Sequence, residues 1–169
     1  MKKSLLFAAL ITSAASFGAC PQGSSCSSLY VGAGLGIEAV PSTYDASGTG
    51  LSLKVGTHLD SFLPKLGAEV EYTKSVVAIK RSSREDVNVQ TVAAYLTYDI
   101  TFPRSPMFVR PRIGFMLPNS GDKINSTDFG LSAGADVGVM LNKHVNAYVG
   151  YTNMGETVND YILGLEYKF

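Results

Sequence analysis

Gly130-Leu131-Ser132-Ala133-Gly134-Ala135-Asp136-Val137-Gly138-Val139-Met140-Leu141-Asn142 alternates with period two. Leu131, Ala133, Ala135, Val137, Val139 and Leu141 share one face, and the opposite face is mostly glycine and polar groups. A strand sorts side chains this way because successive Cβ atoms point to opposite sides; a helix would mix the two sets around its circumference. This stretch is therefore a strand with one apolar and one polar face.

The same alternation predicts eight strands: Leu29 to Ile37, Leu51 to Leu59, Leu66 to Thr73, Val87 to Phe102, Met107 to Leu117, Phe129 to Leu141, Val145 to Thr152 and Tyr161 to Phe169. The connections alternate in length. Residues 60–65, 103–106 and 142–144 are tight turns, whereas 38–50, 74–86, 118–128 and 153–160 are longer and richer in Gly, Ser, Asn and charge. An even number of strands with short turns at one end and longer loops at the other describes an all-β, eight-stranded antiparallel up-and-down barrel. Pro111 falls in the middle of the fifth strand. A closed barrel has no free edge where its missing N–H is harmless, so a β-bulge is expected there.

Which face is apolar decides between a soluble and a membrane barrel. The polar face combines eleven glycines (Gly32, Gly34, Gly36, Gly56, Gly67, Gly114, Gly130, Gly134, Gly138, Gly150, Gly164) with charged groups (Glu38, Lys54, His58, Asp60, Glu69, Glu71, Asp99, Arg110, Arg112, Asp136, Glu166, Lys168). Glycine beside long charged side chains suits a narrow lumen, where each missing side chain leaves room for a large one. The apolar face, as in Leu29, Val31, Ala33, Leu35 and Ile37, suits lipid. Aromatic positions give a separate test. Threading the strands from the short-turn end sets outward Phe62, Tyr98, Phe102, Tyr167 and Phe169 at one rim and Tyr72, Phe115, Phe129, Tyr151 and Tyr161 at the other. Two aromatic girdles are the mark of a transmembrane β-barrel.

The last strand, with Tyr161, Leu163, Leu165, Tyr167 and Phe169 at alternate positions and Phe at its end, resembles the terminal signature by which bacterial outer-membrane barrels are recognised by the barrel-assembly machinery. Over residues 29–169 the chain resembles the small eight-stranded outer-membrane β-barrels of the outer-membrane protein A transmembrane-domain and opacity-protein type. The resemblance implies an outer-membrane location and contact with membrane lipids, lipopolysaccharide and the assembly machinery. A monomer is expected.

Residues 1–19 read as an export signal: Lys2 and Lys3, then an apolar stretch from Leu5 to Ile11, then small residues to Ala19. Residues 20–28 form a periplasmic N-terminal segment ahead of the barrel. Cys20 and Cys26 lie in this Gly/Ser-rich segment, and two readings stay open. They close a small disulfide loop in an oxidising compartment, or Cys20 is acylated at the imperfect lipobox Phe17-Gly18-Ala19-Cys20 and Cys26 is left free. The full chain carries 14 basic and 14 acidic residues; without Lys2 and Lys3 it is mildly acidic. That balance excludes a nucleic-acid binder built on a basic face. No stretch after the signal is long and apolar enough for a transmembrane helix.

Folding the fourth, fifth and sixth strands antiparallel sets Arg110 opposite Asp99 on one side and Asp136 on the other, and the second and third strands set Lys54 opposite Glu71 or Glu69. Such ion pairs would plug the lumen, or gate a narrow pore. The second long loop clusters Lys74, Lys80, Arg81 and Arg84, cations suited to lipopolysaccharide phosphates or to a host or phage surface. The Ser75-Val76-Val77-Ala78-Ile79 run before them predicts a protruding hairpin. Catalysis has little to work with. The histidines are His58 and His144; His144 sits in a tight turn, and Ser52 lies about three side-chain steps along the strand from His58. Metal-ligand spacing is absent and no cofactor is expected. The sequence therefore describes an integral barrel with an ion-paired lumen, short extracellular loops and a structural or surface-interaction role. A narrow gated pore is the alternative, and a lipid A-modifying enzyme a remote one.

Overall fold

The computed structural model describes residues 29–39, 47–59, 63–77, 79–82, 85–87, 90–118, 130–154 and 158–169. The elements are β1 (Leu29–Ala39), β2 (Ser47–His58), β3 (Leu66–Val77), β4 (Ile79–Ser82), β5 (Glu85–Val87), β6 (Gln90–Tyr98), β7 (Ile100–Thr101), β8 (Met107–Pro118), β9 (Gly130–Met140), β10 (Val145–Met154) and β11 (Val158–Lys168). β6 and β7 form one stave, so the barrel has eight, all antiparallel to their neighbours. β1 pairs with β11, which joins the first stave to the last, and β6 pairs with both β3 and β8. Among the described residues the barrel wall thereby has no free edge.

The predicted alternation holds along the staves. In β6 the buried positions are Thr91, Ala93, Tyr95 and Thr97, with exposed or half-exposed residues between them. The largest exposed apolar side chains, including Leu131, Phe169, Leu163 and Leu35, face outward, while the buried set is dominated by polar and charged groups. This inside-out distribution matches a barrel solvated by lipid rather than water. Tyr98, Phe102, Tyr167 and Phe169 are exposed at the short-turn rim, and Phe115, Tyr151 and Tyr161 at the other, where Tyr72 is half-buried. Phe62 and Phe129 lie outside the described residues.

Two features differ from the sequence-based expectation and one agrees with it. β2 begins at Ser47 and β11 at Val158, so two of the outer connections are shorter than predicted. β4 and β5 pair in a small separate sheet, the hairpin expected after Ser75. Pro111 carries no bulge: β8 runs straight through it and keeps Pro111 opposite Ala135 on β9. On the other side, Thr97 pairs with Arg112 and Ile100 with Val109, so the register is unchanged while the ladder is interrupted at Tyr98 and Asp99, facing Arg110 and Pro111. The missing proline donor thus removes one rung and splits the stave into β6 and β7. The register irregularity in the barrel wall lies instead between Thr49 and Gly50.

Candidate functional site: an ion-paired lumen

Alternation sends every second residue of each stave into an interior barely wide enough for its own side chains. Glycine makes that geometry feasible. A Cβ on Gly32 would stand 2.8 Å from Lys54 Cγ, and one on Gly164 would stand 2.5 Å from Tyr148 Cζ. The bare backbone at these positions is the space that Lys54 and Tyr148 occupy.

Three cations, Lys54, Arg110 and Arg112, are buried in this interior with six carboxylates, Glu69, Glu71, Asp99, Asp136, Asp160 and Glu166. Arg110 is fully buried and forks between two acids. Its Nε donates to Asp99 Oδ1 at 2.5 Å and one terminal nitrogen to Glu166 Oε2 at 2.6 Å; the other terminal nitrogen reaches both carboxylates, at 3.2 and 3.3 Å. Arg112 donates to Glu71 at 2.5 Å and Glu69 at 3.1 Å, and also bonds Thr152 Oγ1. Lys54 crosses the lumen from β2 to Asp136 on β9 at 2.6 Å, with Glu69 at 3.6 Å and Glu166 at 3.9 Å.

Neutral groups complete the network. Tyr30 donates to Glu69 at 2.9 Å, Ser52 to Glu71 at 2.7 Å and Asn146 to Glu166 at 3.0 Å. His58 Nε2 lies 2.8 Å from Asp99 Oδ2 at the short-turn mouth. Each cation also faces an aromatic ring: Lys54 over Tyr148 at 3.7 Å, Arg110 over Tyr30 at 4.6 Å and Arg112 over Tyr95 at 4.9 Å. Cation–π contact offsets part of the desolvation of a buried charge. Asp99 and Arg110 also face each other where the β6–β7 stave breaks, so their side-chain bonds bridge the two staves where the backbone ladder lacks a rung.

The predicted ion pairs are only partly the observed ones. Arg110 meets Asp99 as expected, but its pairing with Asp136 is not formed, although the two are register neighbours. Asp136 is held by Lys54, with Arg112 at 3.8 Å. Lys54 approaches Glu69; its register neighbour Glu71 belongs to Arg112 and Ser52. Long side chains in a narrow closed lumen reach across the axis as easily as to the adjacent strand, so neighbour-pair reasoning finds only some of the partners. Alternation did turn Arg112, Glu166 and His58 inward, but strand order gave them no partners.

Outside the lumen, Tyr161, Leu163, Leu165, Tyr167 and Phe169 form one outward row on β11 and the residue after it. His144 stacks on Tyr167 with centroids 5.7 Å apart, and its carbonyl accepts the Lys168 N–H at 2.7 Å. Lys74 is exposed at the outer end of β3, and Lys80 and Arg81 lie on β4. Arg84, Cys20 and Cys26 lie outside the described residues.

Taken together, the closed antiparallel ring, lipid-facing apolar wall and charged interior define an integral outer-membrane β-barrel. The family model of the outer membrane protein beta-barrel domain matches residues 4–169, and the chain belongs to that family, in the bacterial outer membrane. Solved structures share the fold. Neisserial surface protein A is 20% identical, covering 83% of this chain and 97% of that one, with a TM-score of 0.60. The attachment invasion locus protein Ail of Yersinia pestis, in complex with the heparin analogue sucrose octasulfate, is 14% identical, covering 85% and 99%, with a TM-score of 0.60. OprG from Pseudomonas aeruginosa is 16% identical, covering 89% and 99%, with a TM-score of 0.56. No curated protein sequence matches the chain.

Proposed function

We propose that this barrel is a structural and surface-interaction protein that works through its outer end and lipid-facing wall rather than as a conduit. The observation carrying the reading is the fully buried network of Lys54, Arg110 and Arg112 with their carboxylates, which fills the lumen with mutually bonded side chains. Ser52 and His58 are engaged in that network, with Glu71 and Asp99 respectively, which speaks against a nucleophile and base for lipid A chemistry. The interacting surface is the outer connection after β3, whose sequence carries Lys74, Lys80, Arg81 and Arg84. Cations at that level suit the phosphates of lipopolysaccharide. Sucrose octasulfate, the heparin analogue in the Ail complex, offers the same anionic chemistry.

A gated pore is the second reading, favoured by one feature: Lys54 lies within 4 Å of three different carboxylates, so it could exchange partners without leaving the network. Two measurements test the proposal. Purified barrel should bind lipopolysaccharide in a salt-sensitive way, and the quadruple variant K74S/K80S/R81S/R84S should lose most of that binding; unchanged binding overturns the basic surface. Planar bilayers should show no steady conductance from the parent barrel. Sustained ion current would overturn the sealed lumen in favour of the pore.

A further inference from the structure

The outward wall holds an apolar groove that runs up to a bonded polar cluster at the outer rim. Ala147 on β10, Leu165 on β11 and Ala33 on β1 stand in one register row, and the two alanines leave depressions on either side of the leucine. With Leu35, Leu51 and Leu163 they line a groove of about 450 Å³. Leu35 and Leu163 are register partners at its outer end, and Ile37 and Tyr161 are the next outward pair above them. Tyr161 packs against Tyr151 on β10, with ring centroids 5.2 Å apart and both rings exposed. The Tyr151 hydroxyl donates to Asn159 Oδ1 at 3.1 Å, and Asn153 Nδ2 donates to the same oxygen at 3.1 Å. Both bonds end on that oxygen, so the N–H groups of the Asn159 amide remain as donors.

Position and chemistry select one kind of occupant. The wall faces membrane lipid, so a hydrocarbon chain is what covers the groove. Leu165 lies six residues from Asn159, about 20 Å along an extended strand and about 15 Å in depth at a strand tilt of about 40°. One leaflet's share of the hydrocarbon core is also about 15 Å, so a single acyl chain hung from the outer rim reaches the far end of the groove. Among the described residues the outward positions above the groove, Ile37, Thr49, Tyr151, Asn153, Asn159 and Tyr161, carry no charge, which suits the hydroxyl and amide groups of a sugar rather than a phosphate. At the inner end the comparable ring, Tyr167, is covered by its own neighbours, His144 at 5.7 Å and Phe169 at 5.1 Å. We propose that this wall seats an acylated amino-sugar lipid of the outer leaflet, with its sugar against the rings of Tyr151 and Tyr161 and the amides of Asn153 and Asn159, and one acyl chain along the groove between Ala33 and Ala147. The inference rests on the outer end and wall as the working surface, and not on the basic connection after β3.

The test is native mass spectrometry of the full-length barrel in detergent, titrated with dephosphorylated lipid A or with phosphatidylethanolamine. The first probe keeps the acylated disaccharide and lacks the phosphates that a basic surface would hold. The parent should bind it at least about threefold more tightly than phosphatidylethanolamine, the worth of about one net hydrogen bond. That preference should survive about 1 M salt, where charges are screened beyond about 3 Å. N153L/N159L should bring the two lipids level. A33L/A147L, which fills the groove, should weaken both at least about threefold. A94L makes the same change on the exposed wall of β6, opposite β11 in the ring, and should leave both lipids unchanged. K74S/K80S/R81S/R84S should keep the preference, whatever it loses towards lipopolysaccharide. The proposal is overturned if the parent does not discriminate, if salt or the quadruple variant abolishes the preference, if N153L/N159L retains it, or if A33L/A147L binds as A94L does. Should a variant fail the gel-shift test of a folded barrel, the parent alone decides: dephosphorylated lipid A with a photoreactive group in its acyl chain should label peptides of β1, β10 and β11. Equal labelling of β6 and β8 overturns the proposal.

Discussion

Replacing Arg110 by Met removes the one side chain that holds Asp99 and Glu166 together. In the parent, Arg110 is fully buried and makes contacts of 2.5 and 3.2 Å to Asp99 and 2.6 and 3.3 Å to Glu166. Without it Asp99 retains His58 at 2.8 Å, and Glu166 retains Asn146 at 3.0 Å and Lys54 at 3.9 Å. Six buried carboxylates would then face two buried cations. Breaking a buried pair from one side costs on the order of 3–5 kcal/mol, because the remaining charge is left desolvated and uncompensated. The expected loss is about 4 kcal/mol, roughly a thousandfold in the folding equilibrium, measured by urea unfolding in lipid vesicles with the gel shift of the folded barrel as readout. Neutralising the partners in R110M/D99N/E166Q should recover more than half of it. The network geometry adds a sharper criterion: the double-mutant coupling of R110M with D99N should exceed that with D136N, since Asp136 is bound by Lys54 and not by Arg110. A variant R110M as stable as the parent would refute the reasoning, and so would equal couplings.

Further outcomes follow from the same geometry. Gly164→Val should drive a side chain into the ring of Tyr148, 2.5 Å from where its Cβ would stand, and cost about 1–3 kcal/mol in urea unfolding; adding Tyr148→Leu should return part of it. Deleting Phe169, or changing Tyr167 and Phe169 together to Ser, should lower the amount of heat-modifiable barrel in outer-membrane fractions, because both rings belong to the outward row of the final strand. In a background lacking Cys20 and Cys26, cysteine at Ser82 or Ser120 should react with a membrane-impermeant thiol reagent on whole cells, while cysteine at Ser105, in a short turn, should not. Labelling at position 105 in intact cells would reverse the orientation.

The sequence by itself determined the barrel. Period-two alternation in residues 130–142, repeated along the other staves, depends only on the geometry of an extended chain, so strand identity and the inward turn of Arg110, Asp136 and Glu166 were legible without coordinates. Strand number, antiparallel order and the outward aromatic rows followed from the same local pattern and the alternation of connection lengths. Ion-pair partnership was not local. Lys54 finds Asp136 and Arg110 finds Glu166 across the axis, and which carboxylate a long side chain reaches depends on closure, stagger and the space left by glycines on several staves at once. Pro111 belongs to the same class: its sequence position announced a lost donor, but only the closed ring decided that the wall would drop a rung beside Asp99 rather than bulge. In the closed ring that lost rung falls opposite Asp99, where the Arg110 guanidinium bridges the two staves.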